Sequence, residues 1–454
     1  MSATAVIAEA PPRAPLHRPA PPERLSGPDA AWWHMERPEN QMVITGVLTF
    51  AEPLDFDRVS VAVRTRLLAH RRFRQRVDES AGHPRWVDDA RFSLARHLRR
   101  ATLPAPGGRR ELQHLVGEMM SRPLDPRRPL WEAVVADGYA GGSAIVVRVH
   151  HCIADGMALI HVLLTLDDQP GNEDEIDGFA PRGWTPATLR GLRVPASLAG
   201  KVAFAVRTAL SVMATLARLL LMRGDPPSSF RGRLGMRKTA AWSDPLPLDE
   251  VKRVAKALGG TVHDVLAAAA AGGMREYEKL HGRRFRRPVR AVVPVNLREM
   301  SGLGALGNRF GLVFLPLPVG LSDAVERESA VKRTMDRLKR SPEARVLYAI
   351  LRLVGRLPKW VERLIVAFLG KNATLVMTDV PGPRETIWFC GRRVREVMAW
   401  VPQSGRLGLG VSILSYAGRV QVGVAADAGL VPDPEALVAA FARSFAELRA
   451  AALG

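Results

Sequence analysis

The sequence predicts an α/β protein of two domains, and three observations predict it. The chain has 454 residues, past the roughly 250–300 at which a single hydrophobic core stops growing. Runs with the two-residue period of strands alternate along it with runs of helical period. Hydrophobic residues make up 47% and charged residues 24%, a globular balance rather than a disordered one.

The elements follow in order. Residues 1–24 are rich in Pro and Ala without a sustained apolar core and read as a disordered leader, not a secretory signal. A first unit, residues 25–167, carries a strand-like run at Met42–Phe50, then helical periodicity over Asp57–His70 and Arg109–Ser121. Its clearest strand is Ser143–His151, followed by the helix Met157–Leu166. Residues 168–239 read as a linker. Within it, Asp168–Pro186 is rich in Gly, Pro and acids, and Gly224–Gly235 in Pro, Ser and Gly. Between them lies a long apolar-basic helix, where Thr208, Ser211, Thr215 and Arg218 form a weak polar stripe. The second unit, residues 240–454, contains helices at Leu248–Leu258 and Thr261–Lys279 and a strand at Val289–Val295. Strand-like runs follow at Leu312–Pro316, Ala373–Thr378, Gly408–Ser415 and Arg419–Ala425, and Pro434–Ala451 is the last helix.

The net charge is 65 − 45 = +20, which favours anionic partners. Nucleic acid is disfavoured among them, because no recognition motif is present and the arginines are spread along the chain. Two cysteines, Cys152 and Cys390, exclude a disulfide framework and zinc-ligand spacing and point to a reducing, cytoplasmic compartment. No metal site is expected. The apolar stretch Val202–Met222 is interrupted by Arg207 and Arg218 and falls short of the ~20 apolar residues of a spanning helix. Contact with a membrane is therefore expected only at its surface.

The chemistry concentrates in His150-His151-Cys152-Ile153-Ala154-Asp155-Gly156. Strand alternation sets Ile145, Val147, Val149 and His151 on one face and Ala144, Val146, Arg148 and His150 on the other. The two imidazoles point apart, which argues against one shared metal. His151 ends an apolar row, where desolvation keeps the ring neutral and basic. That suits a general base, although a core histidine bonded to a backbone carbonyl is the plainer alternative. Asp155 precedes a helix and reads as its N-cap or as a buttress of the turn. Gly156 permits a backbone geometry or close approach that a side chain would block. Cys152 lacks a thiolate-stabilising setting and is not favoured as a nucleophile.

Arg345, Arg352, Arg356, Lys359 and Arg363 fall at offsets of 7, 11, 14 and 18 from the first, within roughly 60° of one another on a helical wheel. Leu347, Ile350, Leu351, Val354, Val361, Ile365 and Phe368 take the other face, and Pro358 would kink the helix. A basic stripe beside an apolar face suits an interfacial helix. A core-packed helix with a solvated basic edge fits the pattern equally.

The His-His-x-x-x-Asp-Gly run resembles the signature of CoA-dependent acyltransferases and peptide-synthetase condensation domains. Pro129-Leu130-Trp131-Glu132, Pro294-Val295-Asn296-Leu297-Arg298, Gly307-Asn308-Arg309-Phe310, Thr378-Asp379-Val380-Pro381-Gly382-Pro383 and Gly410–Tyr416 follow in order, after Leu25-Ser26-Gly27-Pro28-Asp29. Together they resemble the wax ester synthase/diacylglycerol acyltransferase family from about residue 24 to the C-terminus. Two positions depart from it. His263-Asp264 stands where the family usually has Asn-Asp, and Thr378-Asp379 where it often has Ser-Asn.

The resemblance implies two similar chloramphenicol-acetyltransferase-like domains, each a mixed β-sheet with helices, and a tunnel between them. It implies transfer of a fatty acyl group from acyl-CoA, a co-substrate, to a long-chain alcohol or diacylglycerol, with no cofactor. His151 would be the base, with His150 and Asp155 beside it and Gly156, Asn296 and Arg298 in support. Arg298 would pair with Asp155, and the Asn296 amide would donate to a reacting oxygen or simply end a strand. Pro129, Leu130, Trp131 and Asp264 are expected near the substrate, with core packing the plainer role for Trp131. The expected location is the inner face of the membrane or a lipid-droplet surface. A different hydroxyl or amine acceptor, or a lipid-binding protein of weak activity, are the competing readings.

Overall fold

The structure, a computed structural model, describes residues 21–168, 210, 212–297, 306–355, 357, 359–403 and 407–454. Arg298, Arg356, Pro358, Thr208, Ser211, most of the expected leader and linker residues 169–209 lie outside them.

Among the described residues the strands form two large mixed sheets and one small one. The first large sheet runs in the order Trp388–Phe389, Arg392–Trp400, Val43–Phe50, Gly142–His150, Trp131–Tyr139, Leu98–Thr102. Only its last pair is parallel. The second runs Phe310–Leu317, Val289–Asn296, Leu375–Pro381, Leu409–Tyr416, Arg419–Asp427, Lys238–Trp242. Leu375–Pro381 is parallel to both its neighbours. Two large cores form, one around Trp131, Val146 and Trp400, the other around Val293, Met377 and Leu266, with a smaller cluster around Leu219, Phe314 and Val376. The α/β class with two mixed sheets is as expected.

Three expectations change. Glu23–Arg24, assigned to the leader, pairs with Arg85–Asp88 in the small sheet. Arg392–Trp400, assigned to the second unit, pairs antiparallel with Val43–Phe50, so the first sheet is completed by chain from beyond residue 240. Its alternation is hidden by Arg392, Arg393, Arg395 and Glu396 and by a register shift between Val394 and Glu396. The basic segment forms two helices, Glu343–Val354 and Lys359–Lys371, not one kinked helix. Gly355 lies so close to Gly27 that a Cβ there would come within 1.8 Å of the Gly27 carbonyl. A single helical wheel therefore does not apply across Arg345–Arg363. Leu347 and Val354 are buried, while Leu353, Trp360 and Leu364 are exposed on the side that carries Arg352, Lys359 and Arg363.

The helix Ala324–Lys339 is not among the elements expected from the sequence, although Asp323 caps it and Glu326 lies in its first turn. Arg327 and Glu328 are buried on it beside Val331 and Met335, which blurs its apolar period. Thr215, read as part of a polar stripe, is buried, and Met213, Leu220 and Leu221 are exposed. No helix among the described residues is long and apolar enough to cross a membrane.

Candidate active site

The strand Gly142–His150 delivers the histidine pair to the junction of the two sheets. His151 lies one residue beyond its end, yet its N–H still donates to the Met42 carbonyl at 2.7 Å. The alternation read from sequence therefore persists through it. The next residues are stitched to the second half of the chain. The Gly307 N–H donates to the Ile153 carbonyl at 3.1 Å, and the Asp155 N–H to the Gly307 carbonyl at 3.2 Å. Gly307 has φ 109°, a conformation that favours glycine.

Asp155 caps the helix Gly156–Thr165, its Oδ1 accepting from the Ala158 N–H at 3.0 Å. Its Oδ2 accepts from the Arg309 N–H, also at 3.0 Å. One carboxylate thus sets the start of the helix, satisfying the kind of first-turn donor that N-caps satisfy, and with its other oxygen holds the 307–310 segment across the junction.

Asn308 follows, and its amide determines the state of His151. Nδ2 donates to Asp29 Oδ1 at 2.8 Å and to the His151 carbonyl at 2.6 Å. Both partners accept there, so Oδ1 must face the ring, where it lies 2.7 Å from His151 Nδ1. An amide oxygen only accepts, so Nδ1 carries the proton and Nε2 keeps its lone pair. Trp32 stacks on the imidazole with centroids 4.2 Å apart and planes 16° apart, and Phe310 lies at 5.5 Å. Burial lowers the His151 pKa to about 4, against the opposing pull of the Asp155 carboxylate. Asp29 is held by its own cap. Ser26 Oγ donates to Asp29 Oδ2 at 2.7 Å, while burial pushes the carboxyl above its ordinary range.

His150 adopts the opposite tautomer. Its Nδ1 accepts from the Cys152 N–H at 3.1 Å, and its Nε2 faces Glu36 at 3.3 Å. It lies away from the cavity. Cys152 is fully buried, and burial pushes its thiol well above the usual range.

A cavity of about 850 Å³ opens between the sheets. Trp32, His151, Asp155, Gly156 and Met157 reach it from the first half, and Asn296, Phe310, His263 and Asp379 are among the residues that reach it from the second. Gly156 departs from its expected role. Its φ is not positive, and an added Cβ would meet nothing within 4 Å. Glycine there leaves cavity space open.

Pro129, Leu130, Trp131 and Asp264 do not line the cavity. Trp131 is buried, donates from Nε1 to the Phe73 carbonyl at 2.8 Å and stacks on His97. The Leu130 carbonyl accepts from the His150 N–H at 2.9 Å, which seats the motif strand. Asp264 caps its helix, with Oδ2 accepting from the Thr261 N–H and hydroxyl at 2.9 and 2.7 Å. These side chains support the elements around the cavity. Of the basic stripe, none of the described residues reaches it.

Asp29 and Asn308 lie in segments that carry the family resemblance, but the sequence assigns no role to either of them or to Trp32. The signal was the presence of those segments. The contact between them spans 279 residues of chain, which linear spacing does not reveal.

Comparison with known proteins places this geometry in context. Residues 25–266 match the wax ester synthase/diacylglycerol acyltransferase catalytic domain, and residues 306–449 match the WS/DGAT C-terminal domain. The chain is 30% identical over 465 residues to a putative diacylglycerol O-acyltransferase of Mycobacterium tuberculosis, covering 94% of this chain and 90% of the relative. It is 33% identical over 368 residues to a probable diacylglycerol O-acyltransferase of the same species, with 78% of each covered. Its fold is similar to that of a wax ester synthase/diacylglycerol acyltransferase from Marinobacter aquaeolei, with a TM-score of 0.70 at 22% identity over 95% of this chain and 99% of the other. It is also similar to the first condensation domain of the calcium-dependent antibiotic synthetase, with a TM-score of 0.64 at 17% identity over 96% and 98%.

Proposed function

Because the chain belongs to the wax ester synthase/diacylglycerol acyltransferase family, it is an O-acyltransferase, and we propose that His151 is its general base and acyl-CoA its donor. The enzyme moves a fatty acyl group to a long-chain alcohol or diacylglycerol, giving a wax ester or triacylglycerol.

In this reading His151 Nε2 takes the proton of the acceptor hydroxyl as its oxygen attacks the thioester carbonyl. The C–O bond forms and the carbonyl becomes an oxyanion, which then collapses and breaks the C–S bond. The departing thiolate receives the proton from His151. General base catalysis of this kind contributes typically about 10²–10⁴-fold. Asn296, on the cavity wall, is the proposed donor to the oxyanion. Asp155 acts as the frame of the turn. Arg298 is retained as a proposed supporting residue of that turn.

The observation that carries the reading is the Asn308 contact, which leaves a neutral His151 with its lone pair on Nε2. Thiol release from palmitoyl-CoA, with and without hexadecanol or dioleoylglycerol, tests it. Acceptor-dependent release that His151→Ala abolishes is the expected result. Equal release by the variant would overturn the assignment of the base.

Location at an anionic membrane or lipid-droplet surface belongs to the same proposal. It is supported by Lys359, Trp360, Arg363 and Leu364, which are exposed together on one helix face, with Arg352 and Leu353 exposed on the preceding helix. Cationic and apolar side chains side by side suit an interface.

A further inference from the structure

The strands Val289–Asn296 and Leu375–Pro381 pair only at Ala291–Leu375 and Val292–Val376. Beyond that point the pairing stops. Both strands then line the cavity that holds His151, one from Val292 to Asn296, the other at Val376 and from Thr378 to Pro381. The cavity is a wedge between two parting strands, with Val292 and Val376 at its narrow end. Its wide end is at His151, because Asn296 pairs with Phe310 and the Phe310 ring lies 5.5 Å from the imidazole. Asn296 and Val292 lie four residues apart on one strand, about 13 Å at roughly 3.3 Å per residue.

The two ends differ in polarity. Away from the narrow end, His263 Nδ1 lies 3.1 Å from Asp379 Oδ2, and both residues are on the cavity wall. At the narrow end the lining is apolar, with Val292, Val376 and Val401, and with Leu312 one rung nearer His151. Phe314, Leu347 and Leu219 are buried in one cluster with Val292 and Val376 and are not part of the lining. Phe314 is the cross-strand partner of Val292, and Leu347 comes from the helix Glu343–Val354. This layer closes the narrow end. A reacting base at one end and a blind apolar pocket at the other suit a saturated chain, whose methyl terminus gains by leaving water and brings no polar group to satisfy.

We propose that the blind end seats one alkyl chain of the substrates, and that Val292, backed by Phe314 and Leu347, sets the length it accepts. The proposal rests on the acyl-transfer reading of the same cavity. Such a chain has two sources, the acyl group of acyl-CoA and the long-chain alcohol. At roughly 1.3 Å per carbon, from staggered C–C bonds of about 1.5 Å, about ten carbons reach from the Asn296–Phe310 rung to Val292.

Equilibrium binding to the full-length enzyme tests this without turnover, and so separates its failure from that of the catalytic reading. The probes are two series that run from hexyl to hexadecyl, the unreactive S-alkyl-CoA thioethers and the primary alcohols. In one series affinity is expected to rise roughly fourfold per methylene, the scale of a buried CH₂, and to level off near about ten to twelve carbons. A plateau among the thioethers identifies the acyl chain as the occupant, and a plateau among the alcohols alone identifies the acceptor chain. Leu347→Ala, which thins the layer behind Val292, is expected to move the plateau about three carbons longer. Val292→Phe, which fills the narrow end, is expected to move it shorter by a similar amount. Thermal melting shows that each variant folds. Affinity that rises without a plateau to hexadecyl in both series would overturn the proposal, as would a plateau that neither variant moves.

Discussion

Asn308 Oδ1 and His151 Nδ1 lie 2.7 Å apart, with Asp29 Oδ1 holding the far side of the same amide at 2.8 Å. Asp29 orients Asn308, and Asn308 sets the tautomer of His151. The Asn308→Leu variant keeps the side chain's bulk and loses the acceptor. It is expected to lower kcat about 10²-fold or more, on the scale of a misdirected general base, with little change in the KM for palmitoyl-CoA. Steady-state kinetics check this. Near-parental kcat would show that stacking on Trp32 suffices to hold the ring.

The His151 pKa, lowered to about 4 by burial, has a defined consequence for the pH profile. On the proposal that His151 is the base, the ring acts when neutral, so activity is present above the folded pKa and is lost as pH falls through it. The acid limb of kcat/KM is therefore expected near pH 4, well below the ordinary histidine value of about 6.5. A limb near that ordinary value would contradict the burial that the closed site imposes.

Gly156 borders the cavity with nothing within 4 Å of where its Cβ would stand. The helix it begins has Asp155 as its cap and does not require glycine at this position. Gly156→Val is expected to fold with a Tm within a few degrees of the parent, since surface or open-space substitutions cost roughly 0.5 kcal/mol or less. The same variant is expected to lose activity toward bulky diacylglycerol more than toward hexadecanol. Thermal melting and an acceptor panel separate the two effects, and an equal loss with both acceptors would exclude a steric role.

Trp360 is 64% exposed and Leu364 63% exposed, beside the exposed Arg363. If this face meets lipid, Arg352→Glu/Arg363→Glu should weaken binding to anionic vesicles at low salt and matter little at high salt, because exposed charges are screened beyond about 10 Å at 0.1 M. Trp360→Ala/Leu364→Ala should weaken binding at both. Vesicle co-sedimentation at two ionic strengths checks this. Unchanged binding in both double variants would remove the face from consideration. Lys359 is left out of the pair because it is partly engaged, donating to Glu79 at 2.9 Å.

Much of the fold was legible in order along the chain. The motif strand, the helix after it and most strands of the second sheet follow from period and punctuation, because those segments are buried on faces their own alternation defines. The misses have physical causes. Arg392–Trp400 is charged along one edge and shifted in register, and Ala324–Lys339 buries an arginine and a glutamate, so neither shows a clean apolar period.

Strand alternation alone separates His151 from His150, since a one-residue step reverses the direction of a side chain, and the cavity lining includes the first and not the second. Residue type and sequence position were enough to expect an architectural Asp155. They could not supply Asp29, Trp32 or Asn308 as partners of the ring, nor bring His263 to Asp379. Those contacts join segments that the chain separates by more than a hundred residues. They exist because two sheets pack across a junction stitched at Ile153, Asp155 and Gly307. Local pattern reports which face a side chain takes, and packing between distant segments sets what that face meets.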